Sequence, residues 1–233
     1  MKKWFVAIYL VTSHKKGISS HQLAKDLKVT QKTAWFMLHR IRFALGQGSF
    51  EAPLGGGGGI VEADETWIGG KVKNKHKSKK VAGTQSGYGK TAVMGIVERS
   101  GEIRTFVLPN TEKDTMQTAL TVNVAPDATL ITDSHNSYKT YYKIHPSHIL
   151  VKSTEGDYVT DKHFHTNNIE GYWSLLKRSI IGIYHYVSPK HLQAYCDEMA
   201  YRYNTRTSNE GNRVTLTLTK SNKRLTYSTL ISK

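Results

Sequence analysis

Hydrophobic positions along the chain change character near residue 60, from helical spacing to strands interspersed with helices. Residues 3–46 read as helical, with no proline and with Gly17 separating a first helix from two more. Ser19 or Ser20 can cap a short helix through Leu27, Lys28-Val29 supplies a tight turn, and Thr30 can cap a longer helix to about Leu45. On that third helix Ala34, Leu38, Ile41 and Leu45 recur at i, i+4, i+7 and i+11, which turns them toward the other helices. Gln31, Lys32, Thr33, Trp35, His39 and Arg42 are then expected on the outward face. The spacing is that of a helix-turn-helix, and such a face can enter a DNA major groove; an ordinary three-helix packing unit with a solvated basic face fits the same pattern.

Residues 47–59 end in five consecutive glycines, Gly55 to Gly59, and have the composition of a flexible linker. Beyond them the pattern predicts strands at 60–67, 91–98 and 103–108, a helix over 111–122 capped by Thr111, and a short buried strand at 128–132. A brief helix near 137–144, a strand at 148–152 and two long helices from about Asn167 and Ser188 complete the series. The order suggests a mixed sheet flanked by helices, hence an α/β domain over 60–233 behind a small all-α domain over 1–46.

Three polar clusters interrupt this framework: Glu62-Ala63-Asp64-Glu65, Ile131-Thr132-Asp133-Ser134 and Asn167-Asn168-Ile169-Glu170. Asp64 and Asp133 stand where apolar runs give way to polar residues, at the strand ends where open α/β sheets present their sites. Carboxylates forced together repel unless a cation lies between them, so the pair predicts one or two hard divalent ions, Mg²⁺ or Mn²⁺. Either aspartate alone also fits a turn or cap. On the helix from Asn167, one stripe carries Asn167, Glu170, Ser174 and Lys177, and another carries Ile169, Trp173, Leu176 and Ile180. The apolar stripe is expected to dock on the sheet and leave the polar one at its margin, so that Asp64, Asp133 and Glu170 become metal ligands. Asn167 with Glu170 also fits a capping box. Two carboxylates and a helix-borne Asn or Glu around two ions suit in-line phosphoryl transfer.

Charge narrows the partner. The chain carries 33 Lys and Arg against 18 Asp and Glu, a formal +15, which favours polyanions and above all nucleic acid. Lys71, Lys73, Lys75, Lys77, Lys79 and Lys80 directly follow the first acidic segment and are expected to hold a phosphate backbone, or to form a solvated loop. Arg178, beside Lys177, is a further DNA-contacting candidate. One cysteine, Cys196, excludes an internal disulfide framework and a cysteine-built zinc site. No run approaches the ~20 apolar residues of a spanning helix, and a cytoplasmic protein, without membrane contact and associated with the nucleoid, is expected.

Several motifs together resemble the ISXO-like group of bacterial insertion-sequence transposases. Leu23-Ala24-Lys25-Asp26-Leu27 with the stretch from Val29 to Arg42 is similar to the group's helix-turn-helix, and Val61 to Lys71 to its first catalytic segment. The run from His165 to Arg178 is similar to the third, and Ser188-Pro189-Lys190-His191-Leu192 with Arg202-Tyr203-Asn204 continues the match. The resemblance implies an RNase H-like catalytic core, Asp64 and Asp133 as the first two catalytic residues, Asn167 or Glu170 as the third, and Lys177 downstream. It implies metal-dependent cleavage and strand transfer of double-stranded DNA at element ends and at a target, by a homodimer or larger assembly. Members often begin with a cysteine-rich zinc ribbon, which this cysteine usage does not permit, so a short member or a remnant that only binds DNA is the alternative, beside a structure-specific nuclease.

Overall fold

The computed structural model describes residues 1–47, 52–70, 89–151 and 164–232. The six lysines expected to grip a phosphate backbone, Lys71 to Lys80, lie outside the described residues. The chain forms two compact units, one of residues 1–49 and 175–233 and one of residues 50–174.

The second unit is built on a five-stranded mixed sheet of order β3-β2-β1-β4-β5. Its strands are β1 (Ile60–Ile68), β2 (Thr91–Glu98), β3 (Ile103–Leu108), β4 (Thr129–Asp133) and β5 (His148–Val151). β1 to β3 form an antiparallel meander, whereas β4 runs parallel to both β1 and β5. Alternation along β1 sends Val61 and Ala63 into one core with Met94 and Ile96, where α4 (Lys113–Asn123) packs through Met116 and Leu120. Glu62 and Asp64 therefore point to the opposite face, where α5 (Asn167–Ser179) begins. α4 starts later than the sequence suggested: its cap position is Glu112, not Thr111, and carries no side-chain cap bond.

The glycine run is a built turn rather than a loose linker. Leu54 is buried, its N–H donates to Asn123 O at 2.8 Å, and its carbonyl accepts from Ala125 N at 2.8 Å. Asp127 Oδ2 accepts from the backbone N–H groups of Gly57 and Gly58, at 2.8 and 3.2 Å. Gly55 has φ +83°, and a Cβ there would stand 2.5 Å from Val61 Cγ2, so glycine is required by both backbone and packing. Composition alone reads as flexibility what Asp127 turns into a fixed structure.

The first unit gathers α1 (Lys2–Ser13), α2 (Ser20–Leu27) and α3 (Gln31–Leu45) with α6 (Pro189–Asn204), α7 (Glu210–Thr219) and α8 (Tyr227–Ile231). The C-terminal helices thus group with the N-terminal ones, rather than with the sheet as the expected 60–233 domain required. Ser19 caps α2 and Thr30 caps α3 through their hydroxyls, as the sequence suggested. Ala34, Leu38, Ile41 and Leu45 are buried in a core with Ala7, Val11, Leu23 and Leu27.

The expected outward face of α3 is only partly outward. Gln31, Lys32 and Thr33 are exposed and Trp35 is half-buried, but His39 and Arg42 are 2% and 1% exposed. α3 has a second buried face because α6 packs on it. Glu198 of α6 accepts from Arg42 Nε at 2.6 Å, and the Arg42 guanidinium lies 3.9 Å from the centre of the Tyr195 ring. Burial, followed by the fields of Arg42 and His191, pushes the His39 imidazole down to about 3, so it is neutral there. Neither residue stands on the outward face of α3 that was expected to enter a groove. Cys196 is a buried core residue, and no helix among the described residues is long and apolar enough to cross a membrane.

Candidate metal and catalytic site

The parallel pairing of β1 with β4 runs from Ile60↔Thr129 to Ala63↔Thr132 and stops. One step further along each strand stand Asp64 and Asp133. β1 itself continues to Ile68, paired there with β2 alone among the described residues, so Asp64 is not at a strand end as expected. It marks the point where β4 leaves its neighbour, and the two aspartates flank the resulting split.

There Asp64, Glu65 and Asp133 bring one carboxylate oxygen each to within 4.8 Å of one another. Glu65 was not expected as a ligand. As the neighbour of Asp64 it begins on the opposite face of β1, yet beyond the end of β4 no strand among the described residues pairs with that flank of β1. Tyr138 donates its hydroxyl to Glu65 Oε2 at 2.8 Å, and His135 Nε2 stands 3.9 Å from Glu65 Oε1. Asp133 Oδ1 accepts from His135 N at 2.9 Å, which turns the chain away after β4.

Crowded carboxylates in a partly buried setting resist ionising. Burial first, and then the charges of Glu65 and Asp133, push the Asp64 carboxyl up to about 7, against the opposing hydrogen bond from Trp173. Burial and Asp133 also raise the pKa of Glu65, while Tyr138 and His135 oppose the rise. The Tyr138 hydroxyl is raised well above its ordinary range by burial and by Glu65. This set of oxygen donors, short of positive charge, fits a hard divalent cation.

α5 is tied to the same split. Glu62 is fully buried and accepts from Asn168 N at 3.0 Å, Ile169 N at 3.3 Å and Asn168 Nδ2 at 2.8 Å, so its carboxylate closes the helix's first turn. Arg99 Nε donates to the other side of Glu62 at 2.8 Å, and His165 Nδ1 stands 3.4 Å from it. Two residues along β1, Asp64 Oδ2 accepts the indole N–H of Trp173 at 2.8 Å. Between these ties the helix rests on Gly95, the β2 partner of Asp64. A Cβ at Gly95 would stand 2.6 Å from Ile169 Cδ1 and 2.7 Å from Trp173 Cη2.

The two stripes of α5 separate as expected: Ile169, Trp173, Leu176 and Ile180 are buried, while Asn167, Glu170, Ser174 and Lys177 are exposed. Arg178 is also exposed. Glu170 accepts from the Thr166 hydroxyl at 3.3 Å and is not among the carboxylates that close to within 4.8 Å among the described residues. Glu62 and Trp173 are the positioning residues that the acid pattern did not single out. The signal for Glu62 was its i, i+2 relation to Asp64 on one strand face.

Residues 56–204 match the ISXO2-like transposase domain. Similar solved structures include two of Mos1 complexes. One, a pre-cleavage transpososome, has 14% identity and a TM-score of 0.36 over 89% of this chain and 75% of that one. The other, a strand transfer complex, has 12% identity and a TM-score of 0.32 over 95% of this chain and 79% of that one. No curated protein matches. The matched domain spans more than half of the 233 residues and includes Asp64, Glu65, Asp133 and the whole of α5, and the chain belongs to the ISXO2-like transposase family.

Proposed function

We propose that the protein is a DNA transposase that cuts a strand at the ends of an insertion sequence and joins the freed end to target DNA. The observation that carries this reading is the closing of Asp64, Glu65 and Asp133 to within 4.8 Å at the split between β1 and β4. The strand order β3-β2-β1-β4-β5 supports an RNase H-like core. Asp64 and Asp133 hold two divalent ions, Mg²⁺ or Mn²⁺, with Glu65 or the α5 side chains Glu170 and Asn167 completing the oxygen set. Bound there, the ions supply charge stabilisation to the attacking and leaving oxygens of an in-line displacement.

The chain's own residues set the geometry. Glu62 and Trp173 fix α5 beside the acids, so that Asn167, Glu170 and Lys177 stand on its exposed stripe, where a DNA strand can meet them. In the first step a water oxygen bonds to phosphorus as the bond to the 3′ oxygen breaks, leaving a 3′ hydroxyl. In the second, that hydroxyl attacks a phosphodiester of target DNA and displaces another 3′ oxygen. α2 and α3 act as the helix-turn-helix, contacting DNA through Gln31, Lys32, Thr33 and the edge of Trp35, while Arg178 and the lysines from Lys71 to Lys80 contact the backbone. Two element ends call for at least a homodimer on DNA, and the protein works in the cytoplasm at the nucleoid.

The test is strand cleavage and joining on DNA that carries the element's terminal repeats, with Mg²⁺ or Mn²⁺, comparing the parent with Asp64→Asn and Asp133→Asn. Both variants are expected to lose activity, and unchanged activity in both overturns the reading. Glu65→Gln and Glu170→Gln assign the third ligand by which of them loses ion dependence. Cleavage without joining makes the protein a nuclease, and binding without cleavage a DNA-binding remnant.

A further inference from the structure

The helical unit contains a cavity of about 700 Å³ that no step above employs. Its size falls among pockets that enclose a small molecule, about 300–1,000 Å³. Its walls are aromatic: Trp35 on α3, Tyr195 on α6, and Tyr186 from the turn between α5 and α6. His21, His185 and Arg42 also line it, and among the described residues no aspartate or glutamate does.

Two further observations mark it as a site rather than a packing gap. Arg42 is 1% exposed, its Nε is bound by Glu198 and its guanidinium lies against the rings of Tyr195 and Tyr184, yet Nη1 and Nη2 lack a well-formed hydrogen bond among the described residues. Buried guanidinium donors left in this way call for an acceptor. The wall that carries His185 and Tyr186 is also strained. A π-helical turn, Ile180–Tyr184, runs into His185 at φ +60° and ψ −47°, and Tyr186 N donates to Tyr184 O at 2.6 Å to close a three-residue turn. π-Turns and left-handed backbone at a residue other than glycine recur where a ligand must be met. Here the strain brings His185 and Tyr186 to the cavity, and Tyr186 remains 66% exposed.

We propose that this cavity binds one unpaired nucleotide of a DNA strand. The base lies against Trp35 and Tyr186, and the phosphate faces His21, His185 and the donors of Arg42. Aromatic faces accept any base by stacking, a lining without carboxylates tolerates phosphate, and the formal charge of +15 draws the strand. The proposal rests on the DNA-directed function above; it extends the Trp35 contact named there and adds Tyr186, His21, His185 and Arg42.

Fluorescence anisotropy on the full chain tests it, with a labelled blunt duplex and the same duplex bearing one unpaired terminal nucleotide. The parent is expected to bind the extended duplex about tenfold more tightly, the scale of one stacked base. Tyr186→Ala, at an exposed position, is expected to bind the two duplexes equally while keeping the parent's melting temperature. Trp35→Phe is expected to lose the tryptophan quenching that the extended duplex produces. Equal binding of both duplexes by the parent overturns the proposal, as does a Tyr186→Ala variant that keeps the preference. Free deoxyadenosine monophosphate that displaces the extended duplex as effectively as unlabelled extended DNA overturns the strand as the source of the nucleotide. Asp64→Asn keeps the preference if the proposal holds, so failure here and failure of the cleavage reading are read separately.

Discussion

Replacing Asp64 with Asn should stabilise the metal-free protein while removing its response to metal. Two unit charges no more than 4.8 Å apart repel by at least about 3.5 kcal/mol at an effective dielectric constant of about 20. The site is only partly buried, so solvent lowers the expected gain to about 1–3 kcal/mol, or about 2–4 °C in Tm per kcal/mol for a chain of this size. Asn keeps an oxygen to accept the Trp173 indole N–H, so the tie to α5 survives. The pH dependence fixes the sign. The Asp64 pKa rises from its ordinary 3.8 to about 7 on folding, so the folded parent binds the proton more tightly than the unfolded chain. Parental stability is therefore highest below the unfolded value and declines as pH rises toward about 7. Thermal melts in EDTA should show Asp64→Asn more stable than the parent at about pH 8 and equal to it at about pH 4. Adding Mn²⁺ at the higher pH should raise the parent's Tm and leave the variant nearly unmoved. A variant that is less stable in EDTA at the higher pH, or a gap that does not change with pH, refutes the account of a crowded acidic cluster built for cations.

Gly95→Val should cost about 1–3 kcal/mol in urea unfolding by overpacking against Ile169 and Trp173, and should abolish strand cleavage by moving α5. Glu62→Ala should cost about 3–5 kcal/mol, because it removes the buried acceptor of Arg99 Nε and of the first N–H groups of α5. Glu198→Ala should destabilise by a similar amount through the buried Arg42 and through Arg202, whereas Arg42→Met with Glu198→Leu should recover only the part due to Arg42, because Arg202 and Tyr184 still lose their acceptor, as double-mutant unfolding would show. Acid should weaken the helical unit in two stages, read by circular dichroism. His39, held at about 3 against an ordinary 6.5, withdraws stability as pH falls between those values. Glu198 follows from 4.5 to about 2; burial alone would raise it, but Arg42 and Arg202 outweigh burial.

Local pattern sufficed for most elements. Ser19 and Thr30 announced their helices because a cap is a contact within three residues, and the five strands follow from runs of β-branched and apolar residues between turns. Grouping was not legible in the same way. The burial of His39 and Arg42 depends on Glu198 and Tyr195, roughly 150 positions later in the chain, and no period in α3 reports a second neighbour. The glycine run failed for a related reason: its fixed turn depends on the single carboxylate of Asp127, 70 and 69 residues from the two N–H groups it receives.

The acidic site was legible to the extent that its chemistry resides in residue type. Asp64 and Asp133 carried their own signal, and parallel register set them side by side. Glu65 was hidden by the alternation rule that made the strand readable, since period 2 assigns neighbours to opposite faces. That rule describes a strand with partners on both sides. Where β4 stops at Asp133 and β1 runs on, one flank of β1 has no strand partner among the described residues, and Asp64 and Glu65 reach a common edge. A sheet therefore gathers consecutive acids most easily where one strand outlasts its parallel neighbour, and unequal strand length, more than any single carboxylate, makes this position able to hold a cation.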